Sequence, residues 1–204
     1  METIFWICLF IVIYTFIGYG LVLFLIIKLK RKWRGKKMEP EKGFTPSLTL
    51  IVAAYNEAAI IEEKIKNTLS LNYPANQLKI IFVTDGSSDN TPEIIKKFPE
   101  ITILHKPERS GKINAVHRAM QQVTTEVTVF TDANTFLNKD ALLEIAKHYQ
   151  DPTVGAVSGE KRVQIEENAD ATAGEGFYWK YESKLKTWDA ELYSVVGAAG
   201  ELFS

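Results

Sequence analysis

Polar positions are almost absent from the first 27 residues; beyond them, short unbroken apolar runs alternate with segments whose apolar residues recur every three or four positions. From Ile4 to Ile27, 24 consecutive residues carry no charge. A helix of that length, rising about 1.5 Å per residue, spans the ~30 Å hydrocarbon core of a bilayer with some length left for tilt. The only early charge is Glu2, and the apolar stretch is too long for the h-region of a cleaved signal peptide. The pattern therefore predicts a transmembrane helix.

After Met38–Pro46 (MEPEKGFTP), a linker by its two prolines and glycine, the run Leu48–Ala54 reads as a strand buried on both faces. Further strands are expected at Leu78–Thr84, Ile101–Leu104, Val127–Thr131 and Val154–Val157. Between them lie helical patterns: Ile61, Ile65, Thr68 and Leu69; Ile94, Ile95 and Phe98, opened by a Thr91 cap and Pro92; Val116, Ala119, Met120 and Val123, capped by Ser110; and Leu142, Ile145, Ala146 and Tyr149. Strands alternating with short helices make this an α/β protein, a mostly parallel, Rossmann-like sheet with helices on both faces. The expected organisation is 1–37 as membrane helix and basic flank, 38–46 as linker and 47–204 as one globular domain.

Charge sharpens this picture. Lys28 to Lys37 holds seven of the 24 basic residues, which by the positive-inside tendency places the N-terminus outside and the globular domain in the cytoplasm, anchored to the cell membrane by a single pass. Trp6 and Trp33 fall near the two interfaces. The rest of the chain has 17 basic against 25 acidic residues, which excludes nucleic acid as a partner. A single cysteine, Cys8, rules out a disulfide framework within one chain. His105, His117 and His148 lack metal-ligand spacing and read as structural.

Parallel sheets bind ligands at the carboxyl ends of their strands, and the unusual polar residues fall there: Asn56 and Glu57 after the first strand, Asp85 after the second, Asp132 and Asn134 after the fourth. No GxGxxG follows the first strand, and Gly111-Lys112 is followed by Ile113, so the dinucleotide fingerprint and the P-loop are both missing. A bound diphosphate would then have to be met by a divalent cation and a nearby lysine. Asp132 offers a hard carboxylate oxygen suited to Mg²⁺ or Mn²⁺. Lys112, opening a helix, is placed to approach phosphate.

Four segments stand in order: AYNE (Ala54–Glu57), TDGSSDNT (Thr84–Thr91), GKINA (Gly111–Ala115) and TDAN (Thr131–Asn134). In this combination the chain resembles the family 2 glycosyltransferases of the GT-A fold, especially the membrane-bound relatives of cellulose, chitin and hyaluronan synthases, from about Ser47 onward. The resemblance implies an inverting, metal-dependent transfer from a nucleotide sugar, a UDP-sugar by the family's pattern, to a glycan or lipid-linked acceptor. It implies that Ala54, Tyr55 and Glu57 flank base and ribose, that Asp85 recognises uracil and that Lys112 approaches phosphate or base. Asp132 takes the place of the first aspartate of the family's DxD motif. Asn134 replaces the second, which leaves metal binding either weaker or dependent on the donor's own phosphates.

Gly174–Trp188 resembles the amphipathic helix that follows the fifth strand in these enzymes, either packed through Phe177, Tyr178, Tyr181 and Leu185 or lying on the membrane. Gly197–Ser204 resembles the small-residue segment lining the acceptor site. The family's acidic catalytic motif and its QxxRW are expected beyond Ser204, so the domain reads as C-terminally incomplete. The catalytic base is unassigned, with Glu160 and Glu201 as candidates by position only. A non-catalytic, membrane-tethered module binding a sugar nucleotide or a synthase partner is the alternative.

Overall fold

Runs rich in Leu, Ile, Val and Phe with polar residues only at their ends form strands because both faces can be buried at once, and four such runs build the centre of this molecule. The computed structural model describes residues 1–33, 43–160, 172–194 and 200–204, with the backbone alone for 172–179. In chain order α1 (Glu2–Ile13) runs through a π-helical turn (Tyr14–Gly18) into α2 (Tyr19–Trp33). Then follow β1 (Leu48–Ala54), α3 (Ile61–Leu69), β2 (Leu78–Asp85), α4 (Thr91–Ile95), β3 (Thr102–Lys106) and α5 (Lys112–Met120). The last elements are β4 (Val127–Asp132), α6 (Ala141–Ala146), α7 (Thr172–Leu192) and β5 (Leu202–Phe203). Two compact units result, Met1–Glu39 with Arg162–Gly197, and Pro40–Lys161 with Ala198–Ser204.

The second unit holds a five-stranded sheet of order β3-β2-β1-β4-β5. The pairs of β1 with β2, β1 with β4 and β2 with β3 are parallel, and β4 pairs with β5 antiparallel. Successive side chains leave a strand on opposite faces, so the buried runs feed two cores. Leu48, Leu50, Val52, Ile80, Phe82 and Val129 pack with Ile61 and Ile65 of α3, Ile95 of α4 and Leu142 and Ile145 of α6. Ile51, Ile81 and Val83 pack with Ala115 and Ala119 of α5. The α/β class, the parallel sheet and the helices on both faces are as the periodicity predicts.

Several local expectations need correction. No strand forms over Val154–Val157; instead Ser158 makes an isolated antiparallel bridge to Phe203. The edge of β4 is taken by β5, whose Phe203 ring stacks on Phe130 at 4.9 Å, while Thr131 donates its hydroxyl to the Glu201 carbonyl at 2.8 Å. Thr91 is the first residue of α4 rather than its cap, which is Asn90. Its buried hydroxyl instead donates to Asp89 and accepts the Glu57 N–H. The cap of α5 is Gly111, not Ser110, because the Ser110 N–H is drawn to Asp85. Leu69 and Met120, expected inward, are both exposed.

In the first unit, α1, the π-helical turn and α2 form one helix, Glu2–Trp33, long and apolar enough to cross a membrane. α7 packs along α2. The Arg31 guanidinium meets both oxygens of Glu191 at 2.9 and 2.7 Å, and the Lys30 ammonium donates to the Glu191 and Leu192 carbonyls that end α7. A cation there satisfies carbonyls left open at a helix C-terminus. Two residues of the basic run thus have a packing partner in addition to any role in topology. Arg34, Lys36, Lys37, most of the linker and Gly197 lie outside the described residues, as do the side chains of Phe177 and Tyr178.

Candidate active site

The strand register brings two carboxylates to one edge. Ala54 of β1 pairs with Thr84, the residue before Asp85, and Ala53 pairs with Asp132. Asp85 and Asp132 therefore flank the end of β1 on neighbouring strands, two spacings of about 4.8 Å apart in backbone. Between them opens a cleft of about 260 Å³. Every donor-binding and metal-ligating residue expected from the sequence lines it, Ala54, Tyr55, Glu57, Asp85, Lys112, Asp132 and Asn134, whereas Glu160 and Glu201, the candidates for the base, do not. A wider, more open hollow of about 610 Å³ lies over α5, between Lys106, Ser110, Asn114, His117, Arg118 and Gln121. It has no carboxylate and, of the strand ends, only that of β3, so the smaller cleft is the candidate site.

Asp85 is buried, and its carboxylate is largely committed. One oxygen accepts the N–H groups of Ser110 and Gly111 at 2.6 and 2.7 Å, and the other faces the Arg118 guanidinium at 3.4 Å. Burial pushes its pKa up, but the two backbone N–H groups and Arg118 together outweigh that and hold it below the usual carboxylate range. Arg118 is anchored in turn by donating to the Thr84 carbonyl at 2.9 Å. Asp85 thus shapes the turn that leads into α5.

That turn carries a residue the sequence reading missed. The Arg109 guanidinium lies 4.1 Å from the centroid of the Tyr55 ring and donates to the Tyr55 hydroxyl at 3.2 Å, forming one wall of the cleft. Its position two residues before Gly111-Lys112 is the only sequence signal it gave. Gly86 makes the approach feasible: it has φ +70°, and a Cβ there would stand 2.6 Å from Arg109 Cβ and 2.8 Å from its backbone.

On the other side of the cleft, the Lys112 ammonium pairs with both oxygens of Asp132 at 2.7 and 2.9 Å. The lysine side chain is 57% exposed and the aspartate 28%. A pair so exposed contributes about 0–1 kcal/mol. It can therefore be exchanged for other ionic partners at little cost. Asn134 is exposed on the same rim.

The loop between β1 and α3 is held by polar side chains. Asn56 has φ +53°, a left-handed conformation that asparagine tolerates, and its side-chain Oδ1 accepts the Ser88 N–H at 2.8 Å. Asp89 accepts from the Ala58 and Thr91 N–H groups and from the Thr91 hydroxyl. Burial raises its pKa, and those three bonds more than reverse the effect. His105 pairs with the Thr84 hydroxyl, which fits the structural role expected for it.

A divalent cation would find only a partial set of ligands here. Among the described residues no group of three His, Cys, Asp or Glu side chains could enclose one. Asp132 and Asn134 supply one hard carboxylate and one neutral amide oxygen at the mouth of the cleft. That donor set suits an ion shared with substrate phosphates and water, as Mg²⁺ commonly is, and does not suit a protein-enclosed site.

Known proteins resemble this chain in sequence and in fold. A family model described as glycosyl transferase family 2 matches residues 49–202. The poly-beta-1,6-N-acetyl-D-glucosamine synthase of Staphylococcus aureus (strain COL) is 33% identical over 151 residues, covering 71% of this chain and 36% of the synthase. The synthase of the same name from Staphylococcus epidermidis is 31% identical over 160 residues, covering 76% of this chain and 38% of its own length. The mannosyltransferase PcManGT from Pyrobaculum calidifontis, solved in complex with GDP-Man and Mn²⁺, is 29% identical with a TM-score of 0.75, covering 93% of this chain and 52% of that one. TarS 1-349 of S. aureus, in complex with UDP-GlcNAc, shares the fold at 20% identity and a TM-score of 0.51, over 59% of this chain and 37% of TarS. This chain spans little more than a third of the length of the curated synthases it matches. With the family match running from β1 into β5 and through every residue of the cleft, the chain belongs to glycosyl transferase family 2.

Proposed function

We propose that this chain binds a UDP-sugar and a divalent cation in the cleft between Asp85 and Asp132, and transfers the sugar with inversion to a glycan or lipid-linked acceptor. The product would be a polysaccharide or glycoconjugate, made at the cytoplasmic face of a membrane that the Glu2–Trp33 helix crosses with its N-terminus outside. The observation that carries this reading is the convergence of Asp85, Tyr55, Lys112 and Asp132 on one cleft at the carboxyl edge of a parallel sheet.

The choice of uridine rests on how Asp85 is bonded. One oxygen already accepts two backbone N–H groups, and only the other, which faces Arg118 at 3.4 Å, has acceptor capacity left; a base read by Asp85 would have to use that one. Uracil presents a single ring N–H, whereas guanine presents two adjacent N–H donors that need both oxygens of a carboxylate. The Arg109–Tyr55 stack offers a flat wall beside base or ribose. Lys112 leaves Asp132 for the donor's diphosphate, an exchange that is cheap because their pair is exposed. A bound Mg²⁺ or Mn²⁺ would be held by Asp132, with Asn134 beside it, and would neutralise charge on the departing diphosphate. The names of the curated relatives support a polymer of an amino sugar as the product class.

Titration calorimetry of the chain in detergent with UDP and GDP, with Mn²⁺ and with a chelator, tests the proposal. The expected result is UDP binding that Mn²⁺ tightens about tenfold or more, an increment that Asp132→Asn abolishes, and weaker binding of GDP. Absence of any metal-dependent affinity for UDP refutes the reading; a preference for GDP refutes its uridine part.

A further inference from the structure

Beneath the cleft, α3 fastens the segment that follows β4. Asn67 donates from its amide to the Leu137 carbonyl at 2.8 Å and accepts the Leu137 N–H at 2.9 Å. One turn earlier, Lys64 donates its ammonium to the Thr135 carbonyl. The Lys64 side chain is wholly buried, among the largest fully buried side chains of the protein. Asn67 shows that a neutral amide can satisfy this backbone. A lysine therefore brings something an amide does not.

Removing an ammonium from water is costly unless a charge answers it. Burial pushes the Lys64 pKa down to about 8, and the Asp132 carboxylate acts against that shift. Asp132 is thus countered from two sides. Lys112 pairs with it in the cleft, exposed and free to turn away; Lys64, wholly buried and fixed by its bond to the Thr135 carbonyl, acts on it through space without a direct ion pair. Once Lys112 turns to a diphosphate, Lys64 is the counter-charge that stays. Water screens the Lys112 charge in the open cleft and cannot reach the buried Lys64 charge in the same way.

We propose that Lys64 is a positioning residue for the donor: from the buried side of the sheet edge its charge holds the Asp132–Thr135 segment in the geometry that metal-dependent nucleotide binding requires. This rests on the metal reading of Asp132 given above. Lys64 touches neither nucleotide nor cation, and it acts through the segment it holds.

The test is UDP affinity of the full chain in detergent, measured with Mn²⁺ and with a chelator, for wild type, Lys64→Met and Lys64→Gln, with folding checked by circular dichroism. Lys64→Met is expected to weaken Mn²⁺-dependent UDP binding about tenfold while chelator-condition affinity stays within about twofold, since the base and ribose contacts are untouched. Lys64→Gln, which keeps a donor for Thr135 but no charge, is expected to match the Met variant, and it serves alone if the Met variant fails to fold. In an Asp132→Asn background neither substitution should weaken binding further. A wild-type metal increment that survives in both variants overturns the inference alone. A parallel loss with and without metal marks a purely structural lysine and overturns it as well. A wild-type chain with no metal increment overturns the functional reading, and this inference with it.

Discussion

Asp85→Asn separates two duties of one side chain. In the wild type one carboxylate oxygen accepts two backbone N–H groups at 2.6 and 2.7 Å, and the other faces Arg118 at 3.4 Å. An asparagine keeping its oxygen toward Ser110 and Gly111 presents an NH₂ group to Arg118 and to the base, donor against donor. Hydrogen bonds to a charged group contribute roughly 1 kcal/mol more than neutral ones, so two weakened backbone bonds and one lost half-buried ion pair sum to about 3 kcal/mol. For a chain of this size that corresponds to a fall in melting temperature of roughly 6–12 °C. Losing a charged acceptor for the base costs another 1.5–3 kcal/mol of binding, about a ten- to hundredfold weaker UDP affinity. Asp89→Asn is the control, because Asp89 also accepts three hydrogen bonds but does not line the cleft. It should destabilise by about 2 kcal/mol and leave affinity within about twofold. Urea denaturation followed by circular dichroism and calorimetry with UDP and Mn²⁺ measure both. An Asp85→Asn chain as stable as wild type, or one binding UDP as tightly, refutes the reasoning.

Gly86→Ala should be more damaging than its size suggests. The new methyl combines a left-handed backbone with a 2.8 Å approach to the Arg109 backbone, so a loss of about 2–4 kcal/mol and a weaker Tyr55–Arg109 wall are expected. Urea midpoints and UDP affinity check this, and an unchanged affinity would show that Arg109 does not border the nucleotide. Acid should also loosen the loop region: the folded pKa values of Asp85 and Asp89 are both depressed, so the unfolded chain takes up protons first. Their contribution is complete above the unfolded value near 4 and is lost as pH falls through the lower folded values. Urea midpoints between pH 6 and pH 3 should fall less steeply in Asp85→Asn than in wild type; parallel curves would exclude a role for this carboxylate.

Much of the architecture was legible because one-dimensional periodicity reports burial. Runs such as Leu48–Ala54, too short for a core helix and nearly all apolar, read as strands covered on both faces, and the polar residues closing them mark the carboxyl edge where Asp85 and Asp132 lie. The first helix was legible for the same reason, since its 24 uncharged residues leave no polar face to place in water. Where several weak local preferences compete, tertiary partners decided the outcome. Ser110 has a cap residue's chemistry, but Asp85, 25 positions away, takes its N–H together with that of Gly111 and moves the cap by one residue. The strand expected at Val154–Val157 is reduced to a single bridge, Ser158 to Phe203, on the outer edge of the two-residue β5, a partner the local sequence does not reveal. Arg109, Arg118 and Lys64 look alike in the sequence as surface cations. Only the folded chain distinguishes one stacked on Tyr55, one braced against Asp85 and one buried under Thr135, because a charged side chain's role depends on which distant groups desolvate and face it, and local sequence does not encode that.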